Sequence, residues 1–428
     1  MTAIALAFQR FRAVPAAGAV STSGVWRLFG PGLVVAVGYM DPGNWATDLD
    51  AGSRYGFTLL SVVVAASAIA ALLQYLVVRL TLAAGTDLAT LIGRRFSRPA
   101  TLTVWLISEL AMIATDLAEL LGAGLALKLL LGISLEAGML ATTAMTFALL
   151  AAPQRLSGLP ERVITALVVV VAACFAAQIA IARPDAGAVL RGLVPSPEIA
   201  RDPGMLYVSL GILGATIMPH NLYLHSSLAH ARAAEARGIE RSRIARLLAI
   251  DSGAALTLAC LVNAAILIVA AAAFHGGQAV AGIEDAYKLI DPVLGSGLAA
   301  PLFAVALLAA GQSATMTGTM AGQIVAEGFL GLSINPMLRA FLTRAFALVP
   351  AMIIPAFLGE NAVDTLLVAS QVVIGAALPF VLVPMVLLLR DHRVMSVLKV
   401  SPLMLRLATS VTAALVVLNT WLITQSFA

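Results

Sequence analysis

Charge is scarce in this chain: Asp, Glu, Lys and Arg make up only 11% of its 428 residues, against about 25% in an average soluble domain. So little charge cannot cover the surface of a soluble fold of this length, and a mean hydropathy of +0.98 excludes one. Cysteine is nearly absent. The two present, Cys174 and Cys260, both fall in apolar runs and read as buried free thiols, not as a disulfide or a paired zinc site. No HExxH motif occurs, and no two histidines stand at metal-ligand spacing, which argues against an intramembrane metalloenzyme. The net charge of +4 could suggest nucleic acid. A membrane explains it better, because Lys and Arg accumulate in cytoplasmic loops, and no nucleic-acid partner is expected.

What the chain has instead is apolar runs. Eleven spans can be drawn, at about 30–55, 57–80, 101–130, 134–153, 160–182, 204–231, 245–274, 296–326, 338–358, 364–389 and 403–426. With the N-terminus in the cytoplasm and the spans alternating, twenty of the 26 Lys and Arg residues fall inside, and the C-terminus lies outside. Residues 1–29 form a cytoplasmic segment without an evident cleavable signal, so the first span is expected to target the chain to the cytoplasmic (inner) membrane. The remainder, 30–428, reads as a single membrane domain embedded in the lipid bilayer.

Two strings interrupt this pattern. Asp41-Pro42-Gly43-Asn44 sits within the first span and Met218-Pro219-His220-Asn221 within the sixth. Proline removes a backbone donor and clashes with the preceding turn, so each span should be two half-helices around an unwound segment. Backbone freed at membrane depth is tolerated where it lines a cavity or binds something. Broken spans in positions one and six divide the chain into two five-helix repeats, about 30–182 and 204–390, with an extra helix at about 403–426. An odd number of spans per repeat inverts the second relative to the first, the arrangement of secondary transporters that bind substrate near the midplane.

The side chains at the breaks suggest the substrate. Asp41 is a carboxylate deep in a span, Asn44 a hard amide ligand, and Met218 a soft thioether beside a broken backbone. Each has a plainer reading, as a helix cap or as packing. Together they form a site suited to Mn²⁺, Fe²⁺, Co²⁺ or Cd²⁺ rather than to Mg²⁺ or Ca²⁺, which prefer all-oxygen shells. On the third span, Glu109, Met112, Asp116 and Glu119 share one helical face, which suggests a proton path or a hydrated lining, with Arg344 a candidate partner. His220, His225 and His230 are five apart and do not share a face; His220, next to the break, is the candidate proton relay. Gly318 and Gly322 form a GxxxG pair read as close helix packing. Gln371 and Asn263 are lone polar residues, either packing or ligand.

At these residues the chain resembles the NRAMP family of proton-coupled divalent metal transporters. The resemblance is carried by Gly30-Pro31-Gly32, Tyr39-Met40-Asp41-Pro42-Gly43-Asn44, Ala114-Thr115-Asp116-Leu117-Ala118-Glu119, Ala215-Thr216-Ile217-Met218-Pro219-His220, Gly311-Gln312-Ser313 and Ser370-Gln371-Val372-Val373, in that order. It implies an all-α LeuT-type fold and an importer of Mn²⁺ or Fe²⁺ working by alternating access. It also implies roles: Asp41, Asn44 and Met218 as side-chain ligands, Gly38 and Ala215 as carbonyl ligands, and Gln371 in some conformations. Asp116, Glu119, His220, Glu109 and Arg344 would form the proton route. No resident cofactor and no obligate protein partner are implied; the metal is cargo and the proton the coupling ion. Ile374-Gly375-Ala376-Ala377 departs from the family, which often carries a further polar residue there. Met218 argues against the family's magnesium-type branch. An amino-acid symporter of the same fold is the rival: there Asp41 would repel the substrate carboxylate and Met218 would have no role. A passive metal channel is a second.

Overall fold

The computed structural model describes residues 30–151, 159–236, 238–277, 280, 282–331, 335–359 and 362–426. The 1–29 segment lies outside the described residues, as do Arg155 and Arg237, two of the twenty basic residues expected on the cytoplasmic side. All regular structure described is helical. Helix α1 (Pro31–Ala36) tightens into a 3-10 turn, Val37–Met40, and α2 spans Pro42–Tyr55. Then come α3 (Leu60–Ala84), a short α4 (Leu88–Arg95), α5 (Arg98–Leu131), α6 (Leu135–Leu150) and α7 (Leu159–Ala182). Two short helices, α8 (Ala186–Gly192) and α9 (Glu198–Arg201), lead to α10 (Pro203–Thr216) and α11 (Pro219–Glu235). The rest is α12 (Arg241–Phe274), α13 (Ile283–Leu294), α14 (Ala299–Leu330), α15 (Pro336–Leu358), α16 (Ala362–Arg390) and α17 (Pro402–Ser426).

Among the described residues nine helices are long and apolar enough to cross a bilayer, with α10 and α11 taken together as one. The first and fourth expected spans appear as shorter elements, Pro31–Met40 continued by α2, and Leu135–Leu150. Both breaks fall where proline requires them. Asp41 is extended at φ −71° and ψ 164°, and α2 restarts on Pro42. Ile217 and Met218 are extended too, at ψ 92° and 130°, and α11 restarts on Pro219. Proline suits the first helical position because its missing N–H would be unpaired there anyway.

Long helices α5 and α14 pack along each other at the centre, with α7 on α14 and α16 on α5. The first broken helix lies on α12. Asp251 of α12 accepts hydrogen bonds from Gly30 N (3.0 Å) and Gly32 N (2.7 Å), the free amides at the start of α1. Further along, Asn263 of α12 donates to the Tyr39 carbonyl at 2.8 Å. Trp45 ties α2 to the central helices: its ring meets Phe175 of α7 and Phe303 of α14 edge-on, at 4.9 and 5.1 Å. Its indole N–H donates to the Met40 carbonyl at 3.2 Å. Thus two carbonyls freed by the first break are paired with side-chain donors.

Contrary to what their apolar runs suggest, the two cysteines are not both buried. Cys174 is buried, but Cys260 on α12 is only half-buried, because that helix turns part of its surface outward. Gly52 lets α2 lie against α12: a β-carbon there would run into the Leu267 carbonyl and sit 2.8 Å from Ala270 Cβ. Gly52→Val is expected to destabilise the fold by about 1–3 kcal/mol through overpacking. The check is the thermal unfolding midpoint of the purified protein in detergent, which should fall; an unchanged midpoint would mean that α2 can lift off α12 freely.

Candidate functional site

The two breaks meet. Asn44 Nδ2 lies 3.2 Å from the Ala215 carbonyl at the end of α10, and Thr216 Oγ1 donates to Asn44 Oδ1 at 3.3 Å. Asp41 caps α2, as its place before Pro-Gly suggests. Its Oδ1 takes both donors of Asn44, the backbone N–H at 3.0 Å and the side-chain Nδ2 at 2.6 Å. Its Oδ2 is buried and has no hydrogen-bond partner. One oxygen therefore does the capping and the other is free to bind a cation or a proton. Met218 is fully buried two residues past Thr216, packed with Ala114 and Ile374. The C-terminal ends of the Val37–Met40 turn and of α10 both stop here, and their partial negative charge favours a cation.

Gln371 of α16 sits on this cluster. A β-carbon on Gly43 would overlap the Gln371 amide, so Gly43 is what admits it. Gln371 donates to Ser370 Oγ at 3.1 Å, while its Oε1 is buried without a partner. On the other side of Gln371 opens a cavity of about 210 Å³, lined among others by Thr47 and Asp50 of α2, Gly211 and Gly214 of α10, and Asp364 of α16. Asp41 and Met218 are 1% and 0% exposed and do not line this vestibule, whereas Gln371 lines it and also lies against Gly43 at the break. Among the described residues no three His, Cys, Asp or Glu side chains gather as a metal cluster. The donor set at the breaks is instead mixed: one carboxylate, amides, carbonyls and a thioether.

The acid face of α5 lies beside this cluster. Asp116 pairs with Arg344 of α15, Nη1 to Oδ1 at 3.0 Å, both buried. Glu109 pairs with a different residue, Arg339 of α15, at 2.5 Å. Arg339 and Arg344 stand five residues apart on α15, and each reaches a different acid of α5. Glu119 is 1% exposed, and its Oε2 has no partner. Gly318 and Gly322 correct the GxxxG reading. A β-carbon on Gly318 would press on the Glu119 carboxylate at 3.1 Å, and one on Gly322 on the Arg339 guanidinium at 3.0 Å. These glycines make room for charged side chains; close helix packing on α14 is made by Gly311 against Ala123 and by Gly328 against Ala89 and Thr90.

His220 is buried, with Nδ1 3.4 Å from Thr115 Oγ1, which places it between the break and the acid row. His225 lies in a separate chain, where its Nδ1 is 2.7 Å from Gln74 Oε1 and Gln74 Nε2 donates to the Tyr39 hydroxyl at 2.7 Å. Among the buried charged residues that the sequence does not single out are Asp48 on α2, Asp251 and Arg339. Asp48 falls seven residues after Asp41 on the same helical face, a spacing visible in the sequence.

A multi-pass helical protein with two discontinuous helices crossing at a buried polar site, below a vestibule on one side, is a membrane transporter rather than an enzyme. Residues 32–425 match the family model described as natural resistance-associated macrophage protein-like. The chain belongs to that family, Nramp. It is 46% identical over 402 residues to the divalent metal cation transporter MntH of Listeria innocua, covering 93% of this chain and 90% of the relative. It is 47% identical over 413 residues to the MntH of Bradyrhizobium diazoefficiens, covering 95% and 92%. The manganese transporter of Eremococcus coleocola, solved with an aromatic bis-isothiourea compound, superposes with a TM-score of 0.83 at 33% identity, covering 95% of this chain and 87% of that one. Mhp1, a nucleobase-cation symporter, superposes with a TM-score of 0.51 at 15% identity over 86% of this chain and 78% of its own, a likeness of fold alone. The fold is thus of the LeuT type.

Breaking a buried ion pair by removing one partner costs about 3–5 kcal/mol, because the other charge is left uncompensated. Arg344→Ala is therefore expected to lower the thermal midpoint clearly, and the double variant Asp116→Asn with Arg344→Ala to recover part of the loss. Additive losses in that cycle would show that the pair does not couple the two helices.

Proposed function

We propose that this protein imports divalent transition metal ions across the cytoplasmic membrane, Mn²⁺ or Fe²⁺ with Cd²⁺ and Co²⁺ as further substrates, driven by co-transported protons. The observation that carries the reading is the free Oδ2 of Asp41, buried where Asn44, the Ala215 carbonyl and Met218 converge. The names of the relatives support a divalent metal as cargo. A thioether among hard oxygen donors favours Mn²⁺, Fe²⁺ and softer ions over Ca²⁺.

In this reading the vestibule faces outward, the N-terminus is cytoplasmic and the C-terminus external. A hydrated ion reaches Gln371, sheds water, and passes to Asp41, Asn44, Met218 and the carbonyls of Gly38 and Ala215. Rocking of the broken helices against α5 and α14 then opens the opposite side. Protons use the neighbouring row. Asp41 is the first acceptor, His220 and Thr115 bridge towards α5, and Glu119, Asp116 and Glu109 lead away, with Arg344 and Arg339 holding the last two acids in place. Inward proton movement is favoured by about 2.3 kcal/mol per charge per 100 mV of negative-inside potential.

Mn²⁺ uptake into proteoliposomes should be saturable and should rise as the external pH falls. Asp41→Ala should lower it by at least about tenfold, the equivalent of 1.4 kcal/mol lost at the transition state. Undiminished uptake in that variant would remove the basis for the site. Separately, Met218→Ala should keep Mn²⁺ uptake but let Ca²⁺ compete more strongly. Equal Ca²⁺ inhibition of the variant and the parent protein would make Met218 a packing residue only.

A further inference from the structure

The two interrupting strings share a pattern, Asp41-Pro-Gly-Asn44 and Met218-Pro-His-Asn221, so each break is followed three residues later by an asparagine. Inverted repeats place such residues at corresponding points of the two halves. Asn44, on α2, reaches across to the carbonyl of Ala215 on α10, three residues before Met218. Asn221, on α11, packs against Gly38, three residues before Asp41: a β-carbon on Gly38 would fall inside its amide group. Asn44 thus joins the two half-helices that line the vestibule, and Asn221 stands between the other two.

The two asparagines differ in how they are satisfied. Asn44 is bonded through both its amide atoms. Asn221 is 0% exposed, and neither its Oδ1 nor its Nδ2 has a partner. A buried amide with every bond unmade is costly in a dry interior and needs an explanation. Packing alone is a poor one, since an apolar side chain of the same size would fill the space without that cost. An amide oxygen is a hard cation ligand, and this one lies on the side of the break away from the vestibule.

The geometry points to Asn221 as a metal ligand of the exit side, the counterpart of Asn44. It is unengaged while the vestibule side is open, and it receives the cation from Asp41 and Met218 once α1 and α11 separate. The inference rests on the metal-transport reading above. Gly38 is then needed twice, to bring its carbonyl to the ion and to leave room for the amide that takes the ion onward.

The experiment compares Mn²⁺ and Cd²⁺ uptake by proteoliposomes containing the parent protein, Asn221→Ala, Asn221→Cys and Asp41→Ala, with thermal melts to establish folding. Asn221→Ala should cut maximal Mn²⁺ uptake about tenfold with little change in KM, because the site that captures the ion from the vestibule is intact. Asn221→Cys is close in volume and keeps the helix contact should the alanine variant not fold. Its soft sulfur should raise the Cd²⁺ to Mn²⁺ uptake ratio several-fold over the parent. An unchanged ratio in the cysteine variant overturns the proposal, whether uptake is normal or uniformly reduced, because packing does not distinguish the two ions. Loss of transport in Asp41→Ala together with an unchanged ratio in Asn221→Cys would refute the exit ligand alone. Absence of Mn²⁺ uptake by the parent protein would instead refute the metal reading itself.

Discussion

Everything at the centre of this molecule follows from one constraint: backbone polar groups cannot be left bare in hydrocarbon. Breaking two helices at mid-depth frees carbonyls and amides that must be engaged some other way. The chain meets the need with side chains drawn from distant segments. Asp41 caps α2, Trp45 and Asn263 serve the carbonyls of Met40 and Tyr39, and Asn44 serves that of Ala215. Among the polar atoms still without a partner at the two breaks are Asp41 Oδ2, Gln371 Oε1 and both amide atoms of Asn221. Binding capacity at the breaks rests on the polar atoms that this provision leaves without a partner.

The same economy governs the charges beside the site. Acids on α5 are tolerated at depth because α15 supplies guanidinium groups and α14 supplies glycines where a side chain would otherwise stand. Gly318 and Gly322 set how closely carboxylate and guanidinium approach α14, so small residues here are electrostatic spacers. Two neighbouring polar systems stay distinct. The acid row on α5 touches the break through His220, whereas His225 belongs to a hydrogen-bonded chain ending on Tyr39.

Much of this was legible in the sequence because the relevant signals are local. Proline within an apolar run marks a break, acids at helical spacing mark a face, and a methionine beside a break stands out from one within a helix. Features that depend on which helix faces which were not legible. Arg339 and Arg344 have the same one-dimensional character, yet only their register against α5 assigns one to Glu109 and the other to Asp116. Asp251 reads as an isolated acid near the start of a span, and its purpose appears only once α1 is laid beside α12. GxxxG identifies a groove without saying what fills it, and here charged side chains do. Cys260 shows a related limit of pattern: an apolar run does not distinguish an outward-facing position from an interior one.

The hold of α12 on α1 has a mechanical consequence. Helix α1 with its 3-10 turn is only ten residues long, too short to persist unsupported. It is pinned to α12 at both ends, by Asp251 at Gly30 and Gly32 and by Asn263 at Tyr39. A segment fastened at two heights cannot swing alone without giving up these hydrogen bonds, and leaving buried polar groups unpaired is costly. Under the proposed rocking motion the moving part on that side would be a two-helix blade, with α12 as its spine and α1 as its edge, its stiffness set by a carboxylate and an amide rather than by the length of α1.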